Sequence, residues 1–276
     1  MNIVFRRCPL NSKQKRKLKI LIAIMLILLT AMISAYLTFF EMRKMRTITK
    51  TQVETERIVE TRYMLPDQNP NPSIDTIRLA VKNIEQNPEL PTGCEITALC
   101  IALNYYQPDS IDKVTLSDKY LPQGAIGEVS PETCFLGDPK TTEGLGCHAP
   151  VIVQAANNYF NDQGLDDYTV YDLTGTPFVN LFQEVANGNP VLMWTAGGTD
   201  ATQEYQWEIN GENVSFLNNE HCRVLVGYDM TEGTLTFCDP KSPDNYTTVK
   251  ASEVQGPYEN LGGQAVVIHK IKDLNQ

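Results

Sequence analysis

The stretch Gln86–Tyr106, QNPELPTGCEITALCIALNYY, decides the fold of this chain. After Gly93, the residues Ile96, Leu99, Cys100, Leu103 and Tyr106 recur at i, i+3, i+4, i+7 and i+10, the spacing of one helix face. Pro88, Pro91 and Gly93 keep the helix from starting earlier and permit a tight approach turn. Cys94 therefore stands at the first helical turn, where backbone N–H groups lack intrahelical partners and the helix dipole favours negative charge. That environment stabilises a thiolate, so a thiol pKa below the free value of about 8.5 is expected. The same cysteine also reads as a small buried residue in a turn, and the pattern alone leaves both readings open.

A nucleophilic thiol needs a base, and the chain has three histidines: His148, His221 and His269. His221 opens a strand-like run, HCRVLVGYD, followed by the turn-like YDMTEG and a second strand-like run, TLTFCDP, ending at Asp239 before Pro240. A hairpin centred near Met230 would set 226 opposite 234, 224 opposite 236 and 221 opposite 239. His221 and Asp239 would then be cross-strand neighbours, and the carboxylate would fix the imidazole tautomer and favour imidazolium. The same register places Cys222 opposite Cys238. His148, in a Gly-rich loop, and His269, in the run AVVIHK, lack a sequence-near acidic partner on a paired strand and read as structural.

These segments carry a resemblance. QNPELPTGCEITALCIALNYY is similar to the start of the bacterial C39-like peptidases, relatives of the bacteriocin-leader peptidases with a papain-like fold. FLGDPKTTEGLGCHAPVI, GNPVLMW, EHCRVLVGYD and FCDP resemble later segments of that family in the expected order, over about residues 80–245. The resemblance implies an α+β, papain-like cysteine peptidase fold with an N-terminal nucleophile helix and a C-terminal antiparallel sheet. It implies Cys94 as nucleophile, His221 as base and Asp239 as orienting partner. The backbone N–H of Cys94 is a natural oxyanion donor, and Gln86 resembles the family's side-chain donor, against the alternative of a solvated loop glutamine. Glu95 belongs to the motif without an assignable chemical step; an exposed or capping first-turn carboxylate is the default. The implied activity is hydrolysis of a peptide or other amide through an acyl-enzyme. The competing reading is an inactive papain-like domain that binds an extracellular peptide or a cell-wall partner.

Upstream, Ile20–Phe40 is a run of 21 residues without a charge, enough at about 1.5 Å per residue to span a hydrocarbon core of about 30 Å. Seven Lys/Arg precede it and five follow within twenty residues, so a cytoplasmic N-terminus and an extracytoplasmic remainder are expected. The organisation expected is a basic cytoplasmic head (1–19), a membrane-spanning signal anchor (20–40), a stalk or linker (41–72) ending in the Pro/Asn-rich PDQNPNP, and one domain (73–276). Residues 1–63 carry 13 Lys/Arg against 4 Asp/Glu, a net of +9, whereas 64–276 carry 10 against 29, a net of −19. An acidic domain argues against nucleic acid as partner. No P-loop or GxGxxG pattern suggests a nucleotide, and the Cys and His spacings do not match a zinc site, so no cofactor or metal is expected. Disulfides Cys134–Cys147 and Cys222–Cys238 both remain open from sequence.

Overall fold

The computed structural model describes Met25 and residues 74–196 and 203–271. The head, the 20–40 span and the 41–72 stalk lie outside the described residues, Met25 aside. Among the described residues no helix is long and apolar enough to cross a membrane.

The expected nucleophile helix is α1, Cys94–Tyr106, beginning at the cysteine with Gly93 as its N-cap. The sequence pattern marks one apolar face, but ten consecutive residues, Cys94–Leu103, are buried. A helix buried all round is a central element, and α1 lies between an antiparallel sheet and two outer helices, α2 (Lys113–Tyr120) and α3 (Ala149–Gln163). Asp112 caps α2 by accepting the Val114 and Thr115 N–H groups at 3.0 and 2.9 Å. Pro150 in the first turn of α3 and Gly164 in the left-handed region after it set its limits.

The main sheet contains β1 (Thr76–Arg78), β4 (Tyr168–Asp172), β5 (Val191–Ala196), β8 (Glu220–Asp229), β9 (Thr234–Cys238), β10 (Thr247–Lys250) and β11 (Ala265–Lys270). Its order is β10-β9-β8-β5-β11-β4, with β1 also pairing β8. Two short strands, β2 (Gln123–Gly124) and β3 (Phe135–Leu136), form a parallel pair. Helix α4 (Leu181–Ala186) precedes β5, and α5 (Ala251–Asn260) follows β10. A separate hairpin, β6 (Glu204–Ile209) with β7 (Glu212–Leu217), turns through Asn210-Gly211, both at positive φ. Trp207 Nε1 ties this hairpin to the Val129 carbonyl at 3.1 Å.

β5 and β8 sit against α1 and carry near-continuous apolar runs because both faces are covered. Trp194, Leu225 and Phe237 are fully buried, each contributing about 1.5–3 kcal/mol through removal of apolar surface from water. Trp194 also satisfies its indole N–H on the Cys147 carbonyl at 2.9 Å, fastening the loop before α3 to the sheet.

The hairpin register differs from the sequence expectation. Asp229 pairs with Thr234, Tyr228 with Leu235 and Gly227 with Thr236; beyond a bulge, Leu225 pairs with Phe237 and Val224 with Cys238. The first strand runs on to Asp229 because the loop is confined to 230–233: Asp229 Oδ1 accepts the Glu232 N–H at 2.9 Å, and Gly233 adopts φ +61°. The bulge at Val226 sits where β1 crosses, and a methyl on Gly227 would come within 2.6 Å of the Ile77 carbonyl oxygen. His221 and Asp239 are consequently diagonal rather than directly opposed. Cys222 lies beside Trp194 of β5, not opposite Cys238. All six cysteines of the described domain are free.

Candidate active site

Three elements converge at the start of α1: its own first turn, the first residues of β8 and the turn after β9. The Cys222 N–H donates to Cys94 Sγ at 3.5 Å, which fixes the thiol beside the strand residue that follows His221. His221 is almost wholly buried, and Thr195 of β5 anchors its backbone by donating Oγ1–H to the His221 carbonyl at 3.1 Å. Diagonal placement still lets the side chains meet, for His221 Nε2 lies 2.7 Å from Asp239 Oδ1. The same carboxylate oxygen accepts the Lys241 N–H at 2.9 Å, so the turn through Pro240 holds it in place.

This geometry assigns the tautomer. A carboxylate can only accept, so Nε2 carries the hydrogen and Nδ1 presents a lone pair. Nδ1 is buried and has no hydrogen-bond partner among the described residues. Burial holds the His221 pKa below its ordinary value, with Asp239 opposing. Burial would raise the Asp239 carboxyl, but the bond to His221, its charge, the Lys241 N–H and Arg223 outweigh it and hold the pKa low. The resting pair is thus a neutral imidazole on a carboxylate, with an available base at Nδ1.

The thiol departs from expectation. Burial, followed by the charge of Glu95, pushes the Cys94 pKa well above its ordinary value. The helix-start argument holds for a thiol open to solvent, whereas here desolvation dominates. Cys94 donates its S–H to Glu95 Oε2 at 3.3 Å, and among the described residues no hydrogen bond joins it to His221.

Glu95 is neither exposed nor a cap. It is buried inside the site, and its Oε1 accepts the Cys147 N–H at 2.8 Å. Its carboxyl meets that of Glu220, also buried, on the β8 residue before His221. Burial raises both pKa values, and the charge of Glu95 pushes Glu220 up further. The two carboxyls lie side by side, and their contact disfavours ionising both. Gly146 makes room for it: a methyl there would lie 2.5 Å from Glu95 Oε1 and 2.6 Å from Glu220 Oε1, at φ +148°. The sequence reading missed this pair, although a lone charge inside an otherwise apolar, all-buried helix was the available signal.

Gln86 is fully buried rather than solvated. Its Nε2 donates to the Pro91 carbonyl at 2.7 Å, which leaves a second N–H on the same nitrogen. The other two histidines do have carboxylate partners: His148 Nδ1 is 2.7 Å from Glu132 Oε1, and His269 Nε2 is 2.8 Å from Glu184 Oε2. Both partners come from outside the paired strands, and neither histidine is joined to Cys94. A cleft of about 290 Å³, lined by Glu132, His148, Asp172, Phe216, Glu220 and Gln264 among others, meets the site through Glu220; Cys94 and His221 do not line it.

The sequence profile of the Peptidase_C39 like family matches residues 78–266. The uncharacterized protein YvpB of Bacillus subtilis (strain 168) is 31% identical over 190 residues, covering 66% of this chain and 71% of its own length. A crystal structure of a candidate C39-like peptidase from Bacillus anthracis is 28% identical with a TM-score of 0.62, over 72% of this chain and 100% of that one.

Proposed function

Because the chain belongs to the Peptidase_C39 like family, we propose that it is a cysteine peptidase, or a hydrolase of a related amide, acting through Cys94, His221 and Asp239. The observation that carries this reading is the His221–Asp239 bond of 2.7 Å, with the unpartnered Nδ1 on the residue preceding the Cys222 N–H that holds the thiol. In the proposed cycle Nδ1 takes the thiol proton, and Asp239 stabilises the imidazolium that forms. The thiolate attacks the substrate carbonyl carbon, and the oxyanion accepts the Cys94 N–H and the second N–H of Gln86 Nε2. The imidazolium then protonates the leaving amine, and water, deprotonated by Nδ1, hydrolyses the thioester. The 20–40 span anchors the enzyme in the cell membrane, with the head (1–19) cytoplasmic and the peptidase domain outside.

One observation favours a second reading. A protonated thiol turned toward Glu95, beside a neutral His221, also suits an inactive domain that binds a peptide or cell-wall partner. Peptide and peptidoglycan-fragment libraries incubated with the wild type and with His221→Ala separate the two. The enzyme reading expects cleavage that His221→Ala abolishes. Binding without turnover, unchanged by His221→Ala, supports the other. For topology, protease added to intact cells should degrade the chain beyond residue 47 and spare the head; a domain protected until lysis reverses the orientation.

A further inference from the structure

Glu95 sits where neither the triad nor the oxyanion donors require a carboxylate. One oxygen accepts the Cys94 S–H at 3.3 Å, the other the Cys147 N–H at 2.8 Å, and its carboxyl meets that of Glu220. Meanwhile the base atom of His221, its Nδ1, has no hydrogen-bond partner among the described residues. We propose that Glu95 is a positioning residue for the nucleophile: held by the Cys147 N–H, it accepts the Cys94 S–H and keeps the thiol in a resting position, from which it must move to His221 Nδ1 before attack. The inference rests on the reading of Cys94 as nucleophile.

Both positions are chemically balanced. At rest the S–H bond is intact and points at an anionic oxygen, so ionisation of sulfur would place two negative charges in contact. After the thiol moves, the S–H bond breaks, the proton passes to Nδ1 and the electron pair stays on sulfur. Glu95 keeps its other partners, so the loop holding Cys147 stays in place while the thiol changes partner. Gly146 is the structural requirement, because any side chain there would separate the two carboxyls.

The surrounding groups set the sign. From β8, Glu220 and the Cys222 N–H act on the thiol; from the loop before α3, Cys147 does; from the turn after β9, Lys241 acts as a cation favouring the thiolate, and Asp239 is bonded to His221. Glu132 acts on Glu220 from the cleft side, and Arg223 acts on His221. Glu95 Oε2, 3.3 Å from sulfur, opposes its ionisation. Neutralising Glu95 therefore frees the thiol.

The test is iodoacetamide labelling of the full-length protein from pH 5.5 to 9.5, with Cys94 read by peptide mass spectrometry. In the wild type the labelling midpoint is expected above the free-thiol value of about 8.5. Glu95→Gln, with Gln still able to accept the Cys147 N–H, should label at least about tenfold faster at pH 7 and shift the profile to lower pH. Glu220→Gln, which can still donate to Glu95, should label as slowly as the wild type. A wild-type midpoint below that of a free thiol overturns the proposal without any variant, so a misfolded Glu95→Gln would not protect it. A Glu95→Gln profile that coincides with the wild type overturns it too. Failure of the nucleophile reading itself shows elsewhere, as peptide hydrolysis that survives Cys94→Ala, whatever the labelling profiles show.

Discussion

Replacing Glu220 with Gln should stabilise the protein, and the gain should grow with pH. The native state holds a proton on Glu220 because the group is buried against Glu95, whereas the unfolded chain releases it near the ordinary carboxyl value of 4.5. The folded pKa is raised, so the stabilisation tied to this group is fully present below the unfolded value and is lost as pH rises toward the folded one. Above pH 4.5 each pH unit costs about 1.4 kcal/mol for as long as the native state keeps the proton. That cost accumulates over the interval between the unfolded value and the folded one. Gln fits the same volume, donates an N–H to Glu95 and has no proton to lose, so it removes this penalty. Urea denaturation of wild type and Glu220→Gln at several values from pH 4.5 to 7.5 should show near-equal stability at the acid end. A gain that grows toward neutrality should appear, each 1 kcal/mol of it worth about 2–4 °C in Tm for a domain of this size. A gain constant across that range, or a loss that grows with pH, refutes the raised pKa of Glu220.

Further outcomes follow from the same geometry. Asp239→Asn keeps the backbone but removes the carboxylate that fixes the Nε2–H tautomer, so kcat should fall about 10³- to 10⁴-fold with KM little changed in steady-state peptide hydrolysis. Gln86→Ala should lower kcat about 10²- to 10³-fold through loss of an oxyanion donor, while the pH profile of Cys94 alkylation stays near wild type. Gly146→Ala forces a methyl to within 2.5 Å of Glu95 Oε1 at φ +148°; thermal denaturation should show a loss of at least about 1–3 kcal/mol.

The elements that frame the candidate site were legible because their signals are local. The Pro/Gly approach fixes where α1 begins, and the two strand-like runs on either side of YDMTEG fix the β8–β9 hairpin. Register was less legible, since it goes with an Asp229 side-chain contact within the turn and a bulge beside which β1, residues 76–78, pairs with β8. His221 and Asp239 still meet across that slip because a His–Asp pair can bridge a diagonal as well as a direct opposition. The β6–β7 hairpin was readable in principle, as Asn210-Gly211 between alternating runs is a strong turn signal. The ionisation state of Cys94 was not readable. It depends on how deeply the helix start is buried and on which way Glu95 points, and both are set by the 146–147 loop and Glu220, far away in sequence.

The central claim is that Cys94 forms the bond to substrate. A cleaved peptide from the library screen, mixed with the full-length enzyme and quenched in acid within milliseconds to seconds, would show it by mass spectrometry. The acyl half of the substrate is expected as a thioester on the Cys94 peptide, present in the wild type, depleted in His221→Ala and missing from Cys94→Ala, which does not cleave. Hydrolysis undiminished in Cys94→Ala, or an acyl group carried by another residue, would contradict the account.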